Sequence, residues 1–232
     1  MNVKATLGRR IENRLRQYQA IGGNNQYVEF CRFELCQRAC RQPEPDAEAF
    51  DALEKAVPGL FEGKGPDDSV RVWVPGCATG EEAYSIAMLL LEQADTLRSP
   101  PRVQVFGTDL SDAAVYTARA GVYPASIEAD LSAERLGRFF VRQGAHYRVR
   151  ETLRESVLFA SHSLLNDPPF SRLDLVSCRN VLIYLQRPLQ RRVLALFHYA
   201  LRPGGLLFLG TSESPGGSPS LFGVLDKSAR LF

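Results

Sequence analysis

The chain has 232 residues, 45% of them apolar and 23% charged, which is the make-up of one ordinary folded domain with room for a small addition. A net charge of +2 excludes bulk nucleic-acid binding, and no apolar run is long enough to span a bilayer. The basic start lacks the apolar core of a signal peptide, and five cysteines, an odd number, point to reduced thiols in a cytoplasmic protein. Cys31, Cys36 and Cys40 lie close together, but their spacing fits no zinc or iron–sulfur pattern, so free thiols and no metal are expected.

The first segment, Ala5 to Ala20, reads as a helix, with Leu7, Ile11, Leu15 and Tyr18 at helical spacing. Lys4, Arg9, Arg10, Arg14 and Arg16 crowd it; they read either as a solvated helix face or as a docking surface for an acidic partner. Gly22-Gly23-Asn24-Asn25 ends this helix, and a weaker helical pattern runs from Gln26 to Glu44. A turn at Pro43–Asp46 places Asp46 as the N-cap of a helix through Phe50, Leu53 and Val57. Residues 1–62 thus form an N-terminal helical region, and the polar linker Gly63–Asp68 leads into a main domain over 69–232.

Val72-Trp73-Val74 is a short apolar strand that breaks at Pro75-Gly76 and turns through Cys77–Gly80 into a helix opened by Glu81 and Glu82. Strand, glycine turn and helix is the unit by which a parallel sheet presents a ligand to a helix N-terminus. Val103–Asp109 is a second strand, and Ser111 caps the helix after it. Gly121–Arg154 is irregular, with a short helix near Leu136–Phe140 and an alternating strand Tyr147–Arg150, so a small inserted β subdomain is expected over roughly 121–156. Val157–Ala160 and Leu173–Cys178 are the third and fourth core strands, and Pro188–Leu201 is an amphipathic helix. Pro203-Gly204-Gly205 turns it into a fifth strand, Leu206–Gly210, and Leu221–Phe232 closes the chain as a strand or hairpin. Alternating strands and helices make the fold class α/β, a doubly wound and mainly parallel sheet.

Ligands of such sheets bind beyond the carboxyl ends of the strands. There, Gly76 and Gly80 let the backbone approach a ligand closely. Glu81 and Glu82 would repel a pyrophosphate and suit a ligand with an amino group, with one of the two left as a plain helix-terminus acid. Asp109 can accept from ribose hydroxyls or cap the next helix. Arg179 and Asn180, polar between apolar neighbours, are costly to bury unless they line a cleft, with Tyr184 one turn on. His146, His162 and His198 are scattered and form no catalytic constellation, and His198 reads as packing or surface.

Three blocks resemble the S-adenosylmethionine-dependent chemotaxis receptor methyltransferases of the CheR type. They are Thr79–Met88 (TGEEAYSIAM); Gly107–Ser111 with Ala118–Tyr123; and Asp174–Tyr184 (DLVSCRNVLIY) continuing to Pro203–Ser214. The match covers about the last three quarters of the chain, and the first helix, at Thr6–Arg14, is similar as well. The wording around Asp167–Asp174 is most similar to CheR domains of larger, multidomain CheB/CheR-like signalling proteins.

The resemblance implies a class I methyltransferase fold with S-adenosylmethionine as cofactor. It implies methyl transfer to glutamate side chains on the cytoplasmic helices of methyl-accepting chemoreceptors by a cytoplasmic, monomeric enzyme that inserts in no membrane. By the same resemblance Asp109 holds the ribose, and Glu81 or Glu82 meets the methionine amino group. Ser163, Leu164, Arg179 and Asn180 line the pocket, with Arg179 also counted as catalytic, and Tyr184 sits near the transferring methyl. The inserted subdomain matches the part that contacts receptor segments in some members. One departure stands out: the family's Asn-x-Thr-x-Phe-Phe-Arg type motif is replaced by Leu35–Pro43 (LCQRACRQP), although Ala47-Glu48-Ala49-Phe50 survives, and Ser163 stands where asparagine is frequent. Competing readings are therefore an active divergent enzyme, a catalytically impaired cofactor-binding module that docks receptors, and a chain whose Gln26–Pro43 stretch is damaged or misread. A nucleotide-binding oxidoreductase ranks behind them because of the acids at the first turn.

Overall fold

The structure is a computed structural model and describes residues 45–216 and 221–232. The helices expected over Ala5–Ala20 and Gln26–Glu44, with Cys31, Cys36 and Cys40, lie outside the described residues. Helix α1 spans Pro45–Ala56, so Asp46 is the second helical residue and not the N-cap. Ala49 and Leu53 of α1 are buried, and a 3-10 turn, Val57–Phe61, continues the same apolar stripe with Val57, Leu60 and Phe61.

Five strands form the central sheet: β1 Ser69–Pro75, β2 Arg102–Asp109, β6 Val157–Ser161, β7 Leu173–Cys178 and β8 Leu201–Leu209. Their order is β6-β2-β1-β7-β8, and every pair is parallel. β1 therefore lies at the centre, and the order reverses direction between β1 and β7. That reversal leaves a crevice at the carboxyl ends of the strands, where the loops diverge to either side.

Helix α2, Glu81–Asp95, and helix α3, Asp112–Ala120, cover one face of the sheet with α1. Val70, Val72 and Val74 of β1 point to that side, as the alternation of a strand requires. Trp73 points to the other, where its ring meets Phe197 edge-on at 5.8 Å. Phe197 belongs to the helix Arg187–Ala200, whose Val193, Leu194, Phe197 and Ala200 are buried. Ser111 caps α3 by accepting from the Ala114 N–H, and Gly121 ends α3 in the left-handed region at φ 58°.

Between α3 and β6 the chain makes a second, antiparallel sheet of β3 Val122–Pro124, β4 Phe140–Gln143 and β5 His146–Val149, in the order β3-β5-β4. Helix α4, Ala133–Phe139, leads into β4, and a single turn, α5 Glu151–Arg154, returns the chain to the main sheet. The long helix, α6, is the Arg187–Ala200 element, and it ends one residue earlier than its apolar pattern suggests.

One expectation is corrected at β8. The Pro203-Gly204-Gly205 segment is not a turn ahead of the strand, which already begins at Leu201. Leu173 pairs with Leu201 and Leu175 with Leu206, so the residues between them loop out as a bulge inside the strand. Gly204, at φ 79°, makes the reversal possible. The chain end is a tight hairpin: Asp226 bridges Leu231, and Leu207 and Phe232 exchange backbone hydrogen bonds at 2.8 and 2.9 Å along the outer edge of β8.

Candidate cofactor and methyl-transfer site

The turn after β1 is built by backbone hydrogen bonds to its neighbour strand. Gly76 and Cys77 both donate to the Thr108 carbonyl, at 2.7 and 3.0 Å. Gly76 sits at φ 72°, and a Cβ there would lie 2.6 Å from the Val181 methyl. Only glycine meets both conditions without displacing the loop after β7. Gly80, at φ 92°, is the N-cap of α2, and its free side is filled by Ala118 and Phe159 rather than by a ligand.

A cleft opens above these strand ends. Pro75 and Gly76 after β1, Thr108, Asp109 and Leu110 after β2, His162–Leu165 after β6, and Val181 and Leu185 after β7 line it. Its enclosed part is about 80 Å³, and the rest of the hollow is open to solvent. Its walls are mostly apolar, with the Asp109 carboxylate and the Ser163 hydroxyl among the polar groups.

Asp109 is buried, and its carboxylate ties two turns together: Oδ2 accepts from the Ala78 N–H and Oδ1 from the Ser111 N–H, both at 2.9 Å. A carboxylate has about four lone-pair sites, of which these two bonds use two. The two acids of α2 part company. Glu81 accepts from the Thr79 hydroxyl at 2.8 and 2.6 Å and faces solvent, whereas Glu82 accepts from the Ser177 hydroxyl at 2.6 Å and so reaches the carboxyl end of β7.

Of the expected site residues, Gly76, Asp109, Ser163 and Leu164 line this one cleft. Asn180 and Tyr184 flank it on the segment that carries Val181 and Leu185, and Asn180 adopts the left-handed region at φ 58°. Gly80, Glu81, Glu82 and Arg179 are not among its lining residues. Arg179 is buried beside it, its guanidinium 4.6 Å from the Phe208 ring centre and 5.4 Å from that of Phe50, with Nε donating to the Leu209 carbonyl at 3.4 Å. The aromatic faces there offer a cation–π environment, and Phe50 brings α1 to the edge of the site.

Some contributors were not visible in the sequence reading. Thr108 accepts from the Trp73 indole at 2.9 Å, so a core tryptophan fixes a cleft residue. His162 lines the cleft, packed between Trp73 and Phe170, and its Nε2 pairs with the Pro168 carbonyl at 3.0 Å. Glu213 is buried behind the loop after β7 and accepts from five backbone N–H groups. It falls inside the third family-like block, Pro203–Ser214, where it is a lone acid among small residues after a core strand. Burial pushes the Cys178 thiol well up, so it stays protonated and serves as packing. Among the described residues no group of three or more His, Cys, Asp or Glu could hold a metal ion.

The parallel sheet with its central glycine turn, a carboxylate after the second strand and a cleft across the switch point defines the class I S-adenosylmethionine-dependent methyltransferase fold. Residues 45–230 match the model of the CheR methyltransferase, S-adenosylmethionine-binding domain, and the chain belongs to that family. Its cofactor is S-adenosylmethionine, and the cradle around Gly76 and the carboxylate of Asp109 fit it. The chain is 38% identical over 237 residues to a Rhodobacter capsulatus protein described as "Uncharacterized 104.1 kDa protein in hypE 3'region"; the match takes in 98% of this chain and 25% of that one. It is 34% identical over 188 residues to the chemotaxis protein methyltransferase Cher2 of Pseudomonas putida, covering 79% of this chain and 68% of that one. With the chemotaxis protein methyltransferase of Escherichia coli (strain K12) it shares 41% identity over 154 residues, 62% of this chain and 52% of that one. The chain thus spans a quarter of the first of these relatives, just over two thirds of the second and about half of the third.

Proposed function

We propose that the chain transfers the methyl group of S-adenosylmethionine to glutamate side chains of chemoreceptors, giving glutamate methyl esters in chemotaxis adaptation. The observation that carries this reading is the convergence of Gly76, Asp109, Ser163 and Leu164 on one cleft inside a CheR cofactor-binding domain. In this reading Asp109 holds the ribose, Ser163 and Leu164 flank the adenosine, and Glu82 meets the methionine amino group. Gly76 lets the backbone close on the cofactor, while Gly80 makes room for Ala118 and Phe159 and turns the chain into α2. Arg179 and Asn180 border the methionine end, and Tyr184 stands near the transferring methyl.

When bound, S-adenosylmethionine supplies an electrophilic methyl on a sulfonium. A glutamate carboxylate is already ionised at neutral pH and needs no general base. One carboxylate oxygen forms the new C–O bond as the S–CH3 bond breaks, and the electron pair of that bond stays on sulfur. The residues' task is alignment in a largely apolar cleft, where the two opposite charges disappear together. The substrate would be an acidic receptor helix in the cytoplasm. The inserted sheet offers it an exposed cation, Arg148 on β5, on the face it shares with Val141. None of the described helices is long and apolar enough to cross a membrane.

The altered Leu35–Pro43 stretch favours a second reading, a receptor-docking module that binds the cofactor without methyl transfer. Titration calorimetry with S-adenosylmethionine, followed by methyl-ester analysis of a chemoreceptor cytoplasmic fragment, separates the two. Binding with transfer supports the enzyme, binding without transfer supports the module, and no binding overturns both.

A further inference from the structure

The loop after β7 is held from behind by one buried side chain. Glu213 Oε1 accepts from the N–H groups of Val181, Leu182 and Ile183 at 2.8, 2.7 and 3.3 Å. Oε2 accepts from Asn180 at 2.9 Å and from Gly210 at 2.8 Å. Successive N–H groups that follow a left-handed residue form a concave nest for an anion, and here the left-handed residue is Asn180 at φ 58°. The anion that fills the nest belongs to the chain itself.

The fit depends on the turn that carries the carboxylate. The Glu213 N–H donates to the Gly210 carbonyl at 2.9 Å, closing a tight turn after β8. A Cβ at Gly210 would lie 2.9 Å from the Asn180 nitrogen and 2.9 Å from Glu213 Oε2, so the two segments meet without space for a side chain. The loop held in this way carries Asn180 and Tyr184, together with Val181 and Leu185 of the cleft wall. Val181 is also the residue that packs over Gly76.

We propose that Glu213 is a positioning residue for methyl transfer: it touches neither substrate nor cofactor, but fixes the wall that presents Asn180, Val181, Tyr184 and Leu185. This rests on the methyltransferase reading above. Buried N–H groups left without an acceptor would turn to water and take the loop with them. A glutamine keeps one acceptor oxygen but turns an NH2 group toward two of the five donors, so the wall loosens while the side chain's volume is kept.

The test uses the full chain. Glu213→Gln is compared with wild type and with Val70→Ala, a core variant in the opposite half of β1. S-adenosylmethionine affinity is measured by calorimetry, and kcat and KM with a receptor cytoplasmic fragment. Glu213→Gln is expected to weaken cofactor binding at least tenfold and to lower kcat at saturating cofactor. Glu213→Asp, charged but one methylene short, is expected to fall between, and Val70→Ala to stay within twofold of wild type in affinity. A folded Glu213→Gln within twofold of wild type in both affinity and kcat overturns the inference, as does a loss that Val70→Ala shares. Should Glu213→Gln not fold, the twofold threshold is applied to Glu213→Asp. If wild type itself fails to bind the cofactor, the functional reading falls and this inference with it; if wild type binds, a silent variant overturns this inference alone.

Discussion

The hydroxyl of Tyr123 donates a 2.8 Å hydrogen bond to the carbonyl of Thr79, and by it the antiparallel sheet is fastened to the glycine turn beside the cleft. Tyr123 is on β3, pairs edge-on with Tyr84 at 6.2 Å, and is buried. Tyr123→Phe keeps the packing and leaves the Thr79 carbonyl without this donor. Losing a buried hydrogen bond costs on the order of 1–3 kcal/mol. Part of that is expected as a lower melting temperature and part as several-fold weaker S-adenosylmethionine binding, because the Thr79 segment borders the turn. Differential scanning calorimetry and isothermal titration read the two parts. Unchanged cofactor affinity would show that the sheet and the turn are not coupled through this bond.

The same tyrosines set the alkaline limit of the fold. Burial pushes Tyr84 up to about 12, and Tyr123 is also raised, by burial first and then by the nearby Glu81. In the unfolded chain both phenols ionise near their ordinary value of about 10. Above that pH the native state therefore holds more protons, and stability falls as pH rises, by about 1.4 kcal/mol per pH unit for each phenol. Lys64 acts in the opposite sense: desolvation lowers its amino group below 10.5, so stability gains from it as pH climbs to that value. It is one proton against two, so the net trend above pH 10 is downward. Urea midpoints at pH 8, 10 and 11 should be level and then fall, and Tyr84→Phe should roughly halve the slope. A flat profile would contradict the burial of these phenols.

Gly76 carries both backbone and steric demands, at φ 72° and with Val181 2.6 Å from a would-be Cβ. Gly76→Ala is expected to cost roughly 1–3 kcal/mol in backbone strain alone and to push Val181 into the cleft. Cofactor affinity should drop more than tenfold. In Gly76→Ala combined with Val181→Ala, the steric part is relieved and the φ part remains, so affinity should recover only in part. Full recovery would assign the requirement to space alone.

The main sheet was legible because its strands are short apolar runs set between glycine and proline breaks, and Leu173–Cys178 falls on the strand found. The bulge in β8 was not, because Arg202–Gly205 reads like any helix-to-strand turn until pairing with β7 starts the strand at Leu201. Asp109, Gly76, Ser163 and Leu164, singled out because they follow strand ends or a family motif, come together as lining of one cleft. Glu213 and Thr108 lie inside family-like blocks, but their roles were not legible: their work is to hold other residues through hydrogen bonds across long stretches of chain, and no local spacing encodes that. Arg179 shows the opposite case, a residue singled out for its cost of burial whose guanidinium lies over Phe50 and Phe208 and donates to the Leu209 carbonyl.

At the amino ends of the strands, Asp174 gathers a buried ion cluster. Its Oδ1 lies 2.7 Å from Lys64 Nζ and 3.1 Å from Arg202 Nη1, while Oδ2 accepts from the Arg71 N–H at 2.8 Å. Asp174→Ala strands the Lys64 charge in a desolvated place and is expected to cost roughly 3–5 kcal/mol. Lys64→Met removes the buried charge with its stem volume kept, and should cost clearly less, since Arg202 remains beside Asp174. Guanidinium unfolding of the two variants checks the order, and an equal loss would mean that the pair, and not the stranded charge, dominates.

Glu81 and Glu82 are neighbours in sequence with different surroundings. Glu81 is held by the Thr79 hydroxyl on the solvent side, and Glu82 by the Ser177 hydroxyl at the carboxyl end of β7. If the ligand's amino group is met by a carboxylate at this turn, Glu82 is the one that faces the right strand. A hydrogen bond to a charged group contributes about 1.5–3 kcal/mol, which is a tenfold to hundredfold change in affinity. Glu82→Gln should weaken S-adenosylmethionine binding by that factor, whereas Glu81→Gln should change it less than threefold. The two variants are nearly isosteric with wild type and differ only in charge, so titration calorimetry on both reads the electrostatic contribution directly. A larger loss in Glu81→Gln than in Glu82→Gln would reverse the assignment and move the amino group to the Thr79 side of the turn.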